Sequence, residues 1–326
     1  MNLSDLGEFG FIEQLRQMAS GAAPGLAVAI GDDCAIIEVG DDRLAVTTDA
    51  MVEGRHFRLD WLTAREVGAR AMTAALSDVA AMGAAPQYSF VSLGLPPDWP
   101  AERALELARG LVEQAEAHGA GLAGGDTVAA DQAFVDVVAI GRCREHLWLR
   151  SGARVGDGLY VTGSLGGPAA AVDARLGGRE PGACWESYAH PQPRVREAAQ
   201  LEPLGVVHAA MDISDGLVQD AGHLCDQSGV GIVIRAAQVP VHTGVAQIAE
   251  RLGRDPLQYA LSGGEEFELL LTAPPGALAE LQAAVAVPLQ QIGEVVDGGS
   301  VVVLDATGSE VRPPVAGWDH FRHRTE

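Results

Sequence analysis

The chain contains no lysine: all 22 of its basic residues are arginine. That excludes a phosphate-loop lysine, the strand lysine of protein kinases and Schiff-base chemistry. Any phosphate handled here must be held by arginine, backbone N–H groups or metal ions. Cysteine is scarce too. Cys34, Cys143, Cys184 and Cys225 lie far apart without a Cys-x-x-Cys pair, so neither a zinc knuckle nor a disulfide framework is indicated. They read as reduced thiols of a cytoplasmic protein. Positive charge is in deficit. A net charge of −22 argues against nucleic acid and anionic membrane surfaces as partners. No apolar run is long enough to span a bilayer, and Met1 to Asp5 lacks the pattern of a secretory signal. What remains is a chain of 326 residues, 48% hydrophobic, with room for two domains.

Acidic residues are abundant, and their placement is informative. Gly31-Asp32-Asp33 precedes an apolar strand, Cys34 to Val39. Gly40-Asp41-Asp42 turns it into a second strand, Arg43 to Thr47, and Thr47-Thr48-Asp49 follows. Such a hairpin brings both acidic ends together. Carboxylates so close repel one another unless a cation sits among them, and hard oxygen ligands suit Mg2+. Two solvated acidic turns would show the same letters.

Further along, Phe9 to Met18 has helical spacing, with Phe11, Ile12, Leu15 and Met18 on one face. Gly21 to Gly25 reads as a loop. Thr63 and Glu66 form a capping box for an Ala-rich helix running to about Met82, with Gly83 at its end. Asp78 sits inside its apolar run, where an unpaired carboxylate is costly. A strand over Gln87 to Leu95 and a helix over Trp99 to His118 follow. A short strand then ends in Gly124-Gly125-Asp126, which would expose N–H groups to a ligand, with an ordinary tight turn as the plain alternative, and Phe134 to Cys143 forms another strand. A Gly-rich charged stretch between Arg144 and Gly158 suggests a boundary, giving units 1–146 and 147–326. In the second unit, 177–190 reads as a mobile loop. A strand ends at Asp212, and Ser214-Asp215-Gly216 opens a helix. Asp212 and Asp215 would face the crevice beyond the strand's end, with helix N–H groups available to an anion. Helix capping by Ser214 or Asp215 is the plain alternative. Ala260 to Leu271 reads as a Gly-Gly turn, an acidic pair and a buried strand. Strands alternating with helices imply an α/β or α+β fold.

The ordered set of motifs resembles the thiamine-monophosphate kinase family, of the superfamily that includes aminoimidazole ribonucleotide synthetase. The matching segments are Gly31-Asp32-Asp33-Cys34, Thr47-Thr48-Asp49 with His56-Phe57, Leu76-Ser77-Asp78 through Gly83, Gly124-Gly125-Asp126-Thr127, Arg150-Ser151-Gly152, Asp212 through Leu217 and Ser262 through Glu268. They span nearly the whole chain. Glu266-Phe267 stands where the family pattern leads one to expect Asp-Tyr. The resemblance implies a two-domain aminoimidazole ribonucleotide synthetase-like fold whose N-terminal strands pair across a homodimer. It implies ATP- and Mg2+-dependent phosphorylation of thiamine monophosphate to thiamine diphosphate. It further implies Asp33, Thr47, Thr48, Asp49, Asp78, Asp126, Asp212 and Asp215 as ligands of several Mg2+ ions. Gly125, Asp126, Arg150 and Ser214 would contact ATP, and His56, Glu265 and Trp318 the thiamine phosphate. No protein nucleophile is implied, since the acceptor is already an ionised phosphate. Among relatives, the selenophosphate enzyme resembles a Cys- and Lys-dependent machine, and the hydrogenase-maturation enzyme uses a C-terminal Cys. Neither pattern is present. The purine enzyme is closer, but Thr47-Thr48-Asp49 with His56-Phe57 favours the thiamine enzyme. A non-catalytic divalent-metal-binding protein is the alternative of another class.

Overall fold

Two helices, α1 (Leu3–Leu6) and α2 (Glu8–Met18), precede the first sheet. That sheet comprises β1 (Leu26–Val28), β2 (Ala35–Val39), β3 (Asp42–Val52), β4 (Ala85–Leu95), β5 (Gly121–Ala129) and β6 (Phe134–Arg142) in the order β1-β2-β3-β6-β4-β5. The expected hairpin forms, with Ala35 opposite Val46 and Val39 opposite Asp42. All pairings are antiparallel except β4 with β5. The computed structural model describes residues 2–19, 23–313 and 317–321. Part of the loop read over Gly21–Gly25, and the last five residues, lie outside these.

Helices α3 (Ala64–Ala81) and α4 (Ala101–Ala117) pack together, and α3 covers β3 and β6. The capping box is present: Thr63 accepts from Glu66 N, and Glu66 reaches back to Thr63 N. The two helices cross closely because each brings a glycine. A Cβ on Gly68 would stand 2.1 Å from the Leu107 carbonyl oxygen, and one on Gly110 1.9 Å from that of Arg65. The small residues of α3 are therefore used within the chain. It is buried on almost every side, so its Ala content does not mark a surface for a second copy.

The second sheet runs β12-β9-β11-β7-β10-β8. Its members are β7 (Gly158–Thr162), β8 (Ala209–Asp212), β9 (Gly231–Arg235), β10 (Leu269–Ala273), β11 (Leu289–Val296) and β12 (Val301–Leu304). Around it lie α5 (Gly167–Leu176), α6 (Cys184–Ala189), α7 (Val195–Leu201), α8 (Leu217–Ser228), α9 (Val245–Leu252), α10 (Pro256–Ser262) and α11 (Leu278–Ala284). Helix α3 also touches β8 and α7, so it stands between the two sheets. No helix among the described residues is long and apolar enough to cross a membrane.

Three readings change. Residues 177–190 are not a loop throughout: α6 buries Cys184, Tyr188 and Ala189, too few apolar positions to betray a helical period. Gly124-Gly125-Asp126 is neither a strand's end nor a turn but the middle of β5, an edge strand exposed along its whole length. There Gly125 is required by the pairing, since a Cβ would stand 1.9 Å from the Val91 carbonyl oxygen. The anticipated apolar face of α2 is helical but not core: Phe11, Ile12, Leu15 and Met18 are all exposed.

Candidate active site

Three elements meet where the sheets approach each other. The turn before β2 supplies Asp33, α3 supplies Asp78, and the end of β8 supplies Asp212. One carboxylate oxygen of each lies within 4.8 Å of the others. Each is partly neutralised by neighbours. Arg150 donates to Asp33 Oδ1 through Nε (3.2 Å) and Nη2 (2.5 Å). Thr47 donates to Asp78 Oδ2 at 2.5 Å, and Ser77 to Asp212 Oδ2 at 2.5 Å. Asp33 Oδ2 is buried with no hydrogen-bond partner among the described residues. Burial raises all three carboxyls above the usual range. The neighbouring Asp212 adds to this at Asp78, and Asp33 adds to it at Asp212, which rises to about 7. Crowded, dehydrated carboxylates with an orphaned oxygen fit a divalent cation with oxygen ligands.

Asp49 lies beside this cluster. Burial, then Glu265, Asp136 and Asp215, raise it to about 7. Strand alternation sets its direction: Thr47 and Asp49 share the face of β3 covered by α3, and Thr48 takes the other. Thr48 is exposed there and donates to Asp136 at 2.7 Å. The hairpin therefore delivers Thr47 and Asp49, but not the Thr48 side chain, to the cluster.

The turn after β8 is shaped by a residue that the sequence reading passed over. Asp220 Oδ2 accepts from the backbone N–H groups of Ser214, Asp215 and Gly216 at 3.0–3.1 Å. Gly216 is the N-cap of α8, and neither Ser214 nor Asp215 caps it. Their side chains are thereby left for other work. Burial, then Glu8, raises Asp215 to about 6. Arg150 ties the turns together, since its N–H also donates to Asp32, at 3.1 Å to Oδ2.

Glu265, His56 and Trp318 come from remote segments and converge. Glu265 and Phe267 have φ of 60° and 54°, a left-handed backbone uncommon for such side chains and frequent at functional sites. Hydrogen bonds from Glu265 N to Ser214 O and from Phe267 N to Ile213 O fix this segment against the Asp212 turn. His56 Nδ1 accepts from Val52 N at 3.0 Å, which leaves Nε2 as the protonated nitrogen. Burial and His320 lower its pKa, so the ring is neutral near pH 7. His320 stands 4.9 Å from His56, ring to ring, and accepts from Trp318 Nε1 at 3.1 Å. Trp318 N donates to Asp215 O. Trp318 is 38% exposed. Helix α2 holds the tail through Glu8, which accepts from His320 N and donates its own N–H to Asp319.

Gly125 and Asp126 stand apart. In register, Asp49 lies opposite Val137, Val137 opposite Val91, and Val91 opposite Gly125. Three strand spacings, about 14 Å, separate Asp49 from Gly125. Asp126 is exposed and accepts from Thr127 N. Besides Asp220, the sequence reading missed Ser77, His320, Arg70 and Tyr188. Arg70 carried a signal: it is the one charge in the apolar run of α3 between Glu66 and Asp78.

Comparison with known proteins agrees with this geometry. Residues 31–143 match the AIR synthase related protein N-terminal domain family, and 154–305 the corresponding C-terminal domain family. Thiamine-monophosphate kinase of Mycobacterium tuberculosis is 37% identical over 98% of this chain and 93% of its own length. That of Aquifex aeolicus is 32% identical over 98% of this chain and 100% of its own. The solved structure of AaThiL complexed with AMPPCP and TMP superposes with a TM-score of 0.86 at 31% identity, covering 98% and 99% of the two chains. The hydrogenase maturation protein HypE of E. coli, 24% identical with a TM-score of 0.72, shares the fold. Both domain families, the near full-length identity and the clustered acidic motifs lead to one conclusion: the chain belongs to the thiamine-monophosphate kinase family.

Proposed function

We propose that this chain transfers the terminal phosphoryl group of ATP directly, in line, to the phosphate of thiamine monophosphate, giving ADP and thiamine diphosphate. One observation carries the reading. In a family whose relative was solved with AMPPCP and TMP, this chain keeps a buried Asp33–Asp78–Asp212 cluster with an orphaned oxygen beside Glu265, His56 and Trp318. The cluster suits Mg2+, held by Asp33, Asp78 and Asp212, with Thr47, Asp49 and Asp215 as further proposed ligands; Thr48 and Asp126 lie outside its reach within one chain. Bound there, Mg2+ would neutralise phosphate oxygens that two anionic substrates bring together.

The chain's own residues do the rest. Arg150 fixes the Asp33 turn and is the guanidinium proposed to contact the nucleotide. With Asp220 holding the turn, Ser214 is left to meet ATP; Gly125 and Asp126 are proposed ATP contacts that lie apart from the aspartate cluster, on β5. His56 holds its proton at Nε2 and can donate to a phosphate oxygen. Trp318 offers a face to the thiazolium cation, an attraction of roughly 0.5–2 kcal/mol. Glu265 supplies a carboxylate. No general base is needed, because the attacking oxygen is already ionised; the site contributes position and charge.

We further place the protein in the cytoplasm, consistent with four free cysteines. We read 1–146 and 147–326 as its two domains. A homodimer is proposed through the open face and edge of the first sheet, where Tyr88, Phe90, Leu122 and Val128 are exposed. The test is ADP release with ATP and Mg2+ in the presence of thiamine monophosphate or of other phosphorylated substrates. Release dependent on thiamine monophosphate is expected. Release with another substrate in its place would overturn the reading.

A further inference from the structure

Arg70 belongs to none of the motifs above, yet its side chain is 0% exposed. It stands on α3 two turns before Ser77. Its guanidinium carbon lies 4.2 Å from the ring centre of Tyr188, and Nη2 lies 2.8 Å from Glu265 Oε1. The contact is a single ionic one. Among the described residues, none of Nε, Nη1 and Nη2 is aligned with a hydrogen-bond acceptor. Two other arginines of the interior behave differently. Arg150 grips Asp33 through Nε and Nη2, and Arg194 grips Glu268 through the same two atoms. Those are clamps whose donors are matched.

Fold stability does not account for Arg70. A buried guanidinium facing one carboxylate is a poor substitute for a well-packed apolar side chain. Its partner explains it better. The Glu265 backbone is fixed by its positive φ and by the bond to Ser214 O, but the carboxylate remains 30% exposed. Asp49 and Glu266 both stand near enough for the Glu265 charge to act on them. Arg70 is the buried cation that draws the carboxylate to one position, and Tyr188 closes the guanidinium in from behind. The residue cannot itself reach substrate, since it has no exposed surface. It acts through Glu265.

We infer that Arg70 is a positioning residue that sets the Glu265 carboxylate for the cationic substrate, with α6 supplying Tyr188 to hold it. The inference rests on the functional reading above and deepens it. It also gives residues 177–190 a part in the substrate side of the site.

A double-mutant cycle tests this. R70M should raise KM for thiamine monophosphate by about tenfold, the scale of one charge-assisted contact, and leave KM for ATP within about twofold. E265Q should do the same, and R70M/E265Q should be no worse than E265Q, because the two act as one unit. R70K, which keeps the charge, should recover most of the loss. Should R70M not fold, R70K and R70Q carry the test: the first near wild type, the second raised in KM for thiamine monophosphate alone. An unchanged KM, additive losses, or equal rises for both substrates would overturn the inference. Absence of turnover by the wild-type chain would overturn the functional reading and this inference with it. Normal wild-type turnover with unaltered variants would overturn this inference alone.

Discussion

Asp212 shows how charge is managed at the scale of a residue. It is buried, faces Asp33 and Asp78, and is eased only in part by the Ser77 hydroxyl that donates to it and by the more distant Arg150 charge. Two consequences follow. Without a cation the cluster opposes the fold, so D212N should not lower the melting temperature of the metal-free protein. The same change should cut kcat by about a hundredfold or more, the scale of losing one electrostatic stabiliser. Circular dichroism melting beside steady-state turnover reads both; normal kcat would contradict the assignment. The second consequence concerns pH. Asp49 and Asp212 rise from 3.8 to about 7 on folding, so the folded chain binds more protons than the unfolded one between those values. The contribution of these two groups to stability is then fullest below about pH 4 and is lost as pH rises towards 7. In EDTA the melting temperature should fall over that window, and millimolar Mg2+ should remove the slope. A slope identical with and without Mg2+ would show that no ion binds there.

Elements explain what the letters could and could not tell. Asp33, Asp78 and Asp212 were legible because each stands close to Gly, Ser or Thr next to the end of a strand or within one helix, where position follows from local pattern. Thr48 was misread because alternation along β3 sends it to the opposite face from Thr47 and Asp49. Gly124-Gly125-Asp126 reads as the end of a strand because glycine pairs usually break one, whereas here Gly125 permits close strand pairing in the middle of β5. Arg70 and Tyr188 were invisible as a pair because 118 residues separate them and only the fold brings the guanidinium over the ring. Asp220 could have been suspected, since a carboxylate in a helix's first turn can reach back to free N–H groups. The crossing of α3 and α4 belongs to this scale as well. G110A places a Cβ on a backbone carbonyl and should destabilise the chain by about 1–3 kcal/mol, with α3 and its Asp78 displaced. Urea unfolding measures it; an unchanged midpoint would mean the helices do not cross as described.

On the scale of the whole molecule, the two sheets enclose α3, and the site lies along the boundary that this helix spans. Residues of the first sheet and the second must keep their mutual position for Asp33, Asp78 and Asp212 to meet. The sheet's other face is left with exposed Tyr88 and Phe90, and its last strand with unpaired edge groups. A dimer through that surface is expected. Sedimentation at micromolar concentration should give twice the 33.9 kDa of one chain, and F90R should return it to one. A wild-type monomer would contradict the dimer.

The central claim is that the chain moves the terminal phosphoryl group of ATP onto thiamine monophosphate at a metal-dependent carboxylate site. Label transfer tests it most directly. With ATP labelled in its γ-phosphate, Mg2+ and thiamine monophosphate, the label should appear in the terminal phosphate of thiamine diphosphate, with one ADP per product. EDTA should abolish the transfer. Label released as inorganic phosphate, or no thiamine diphosphate at all, would contradict the account.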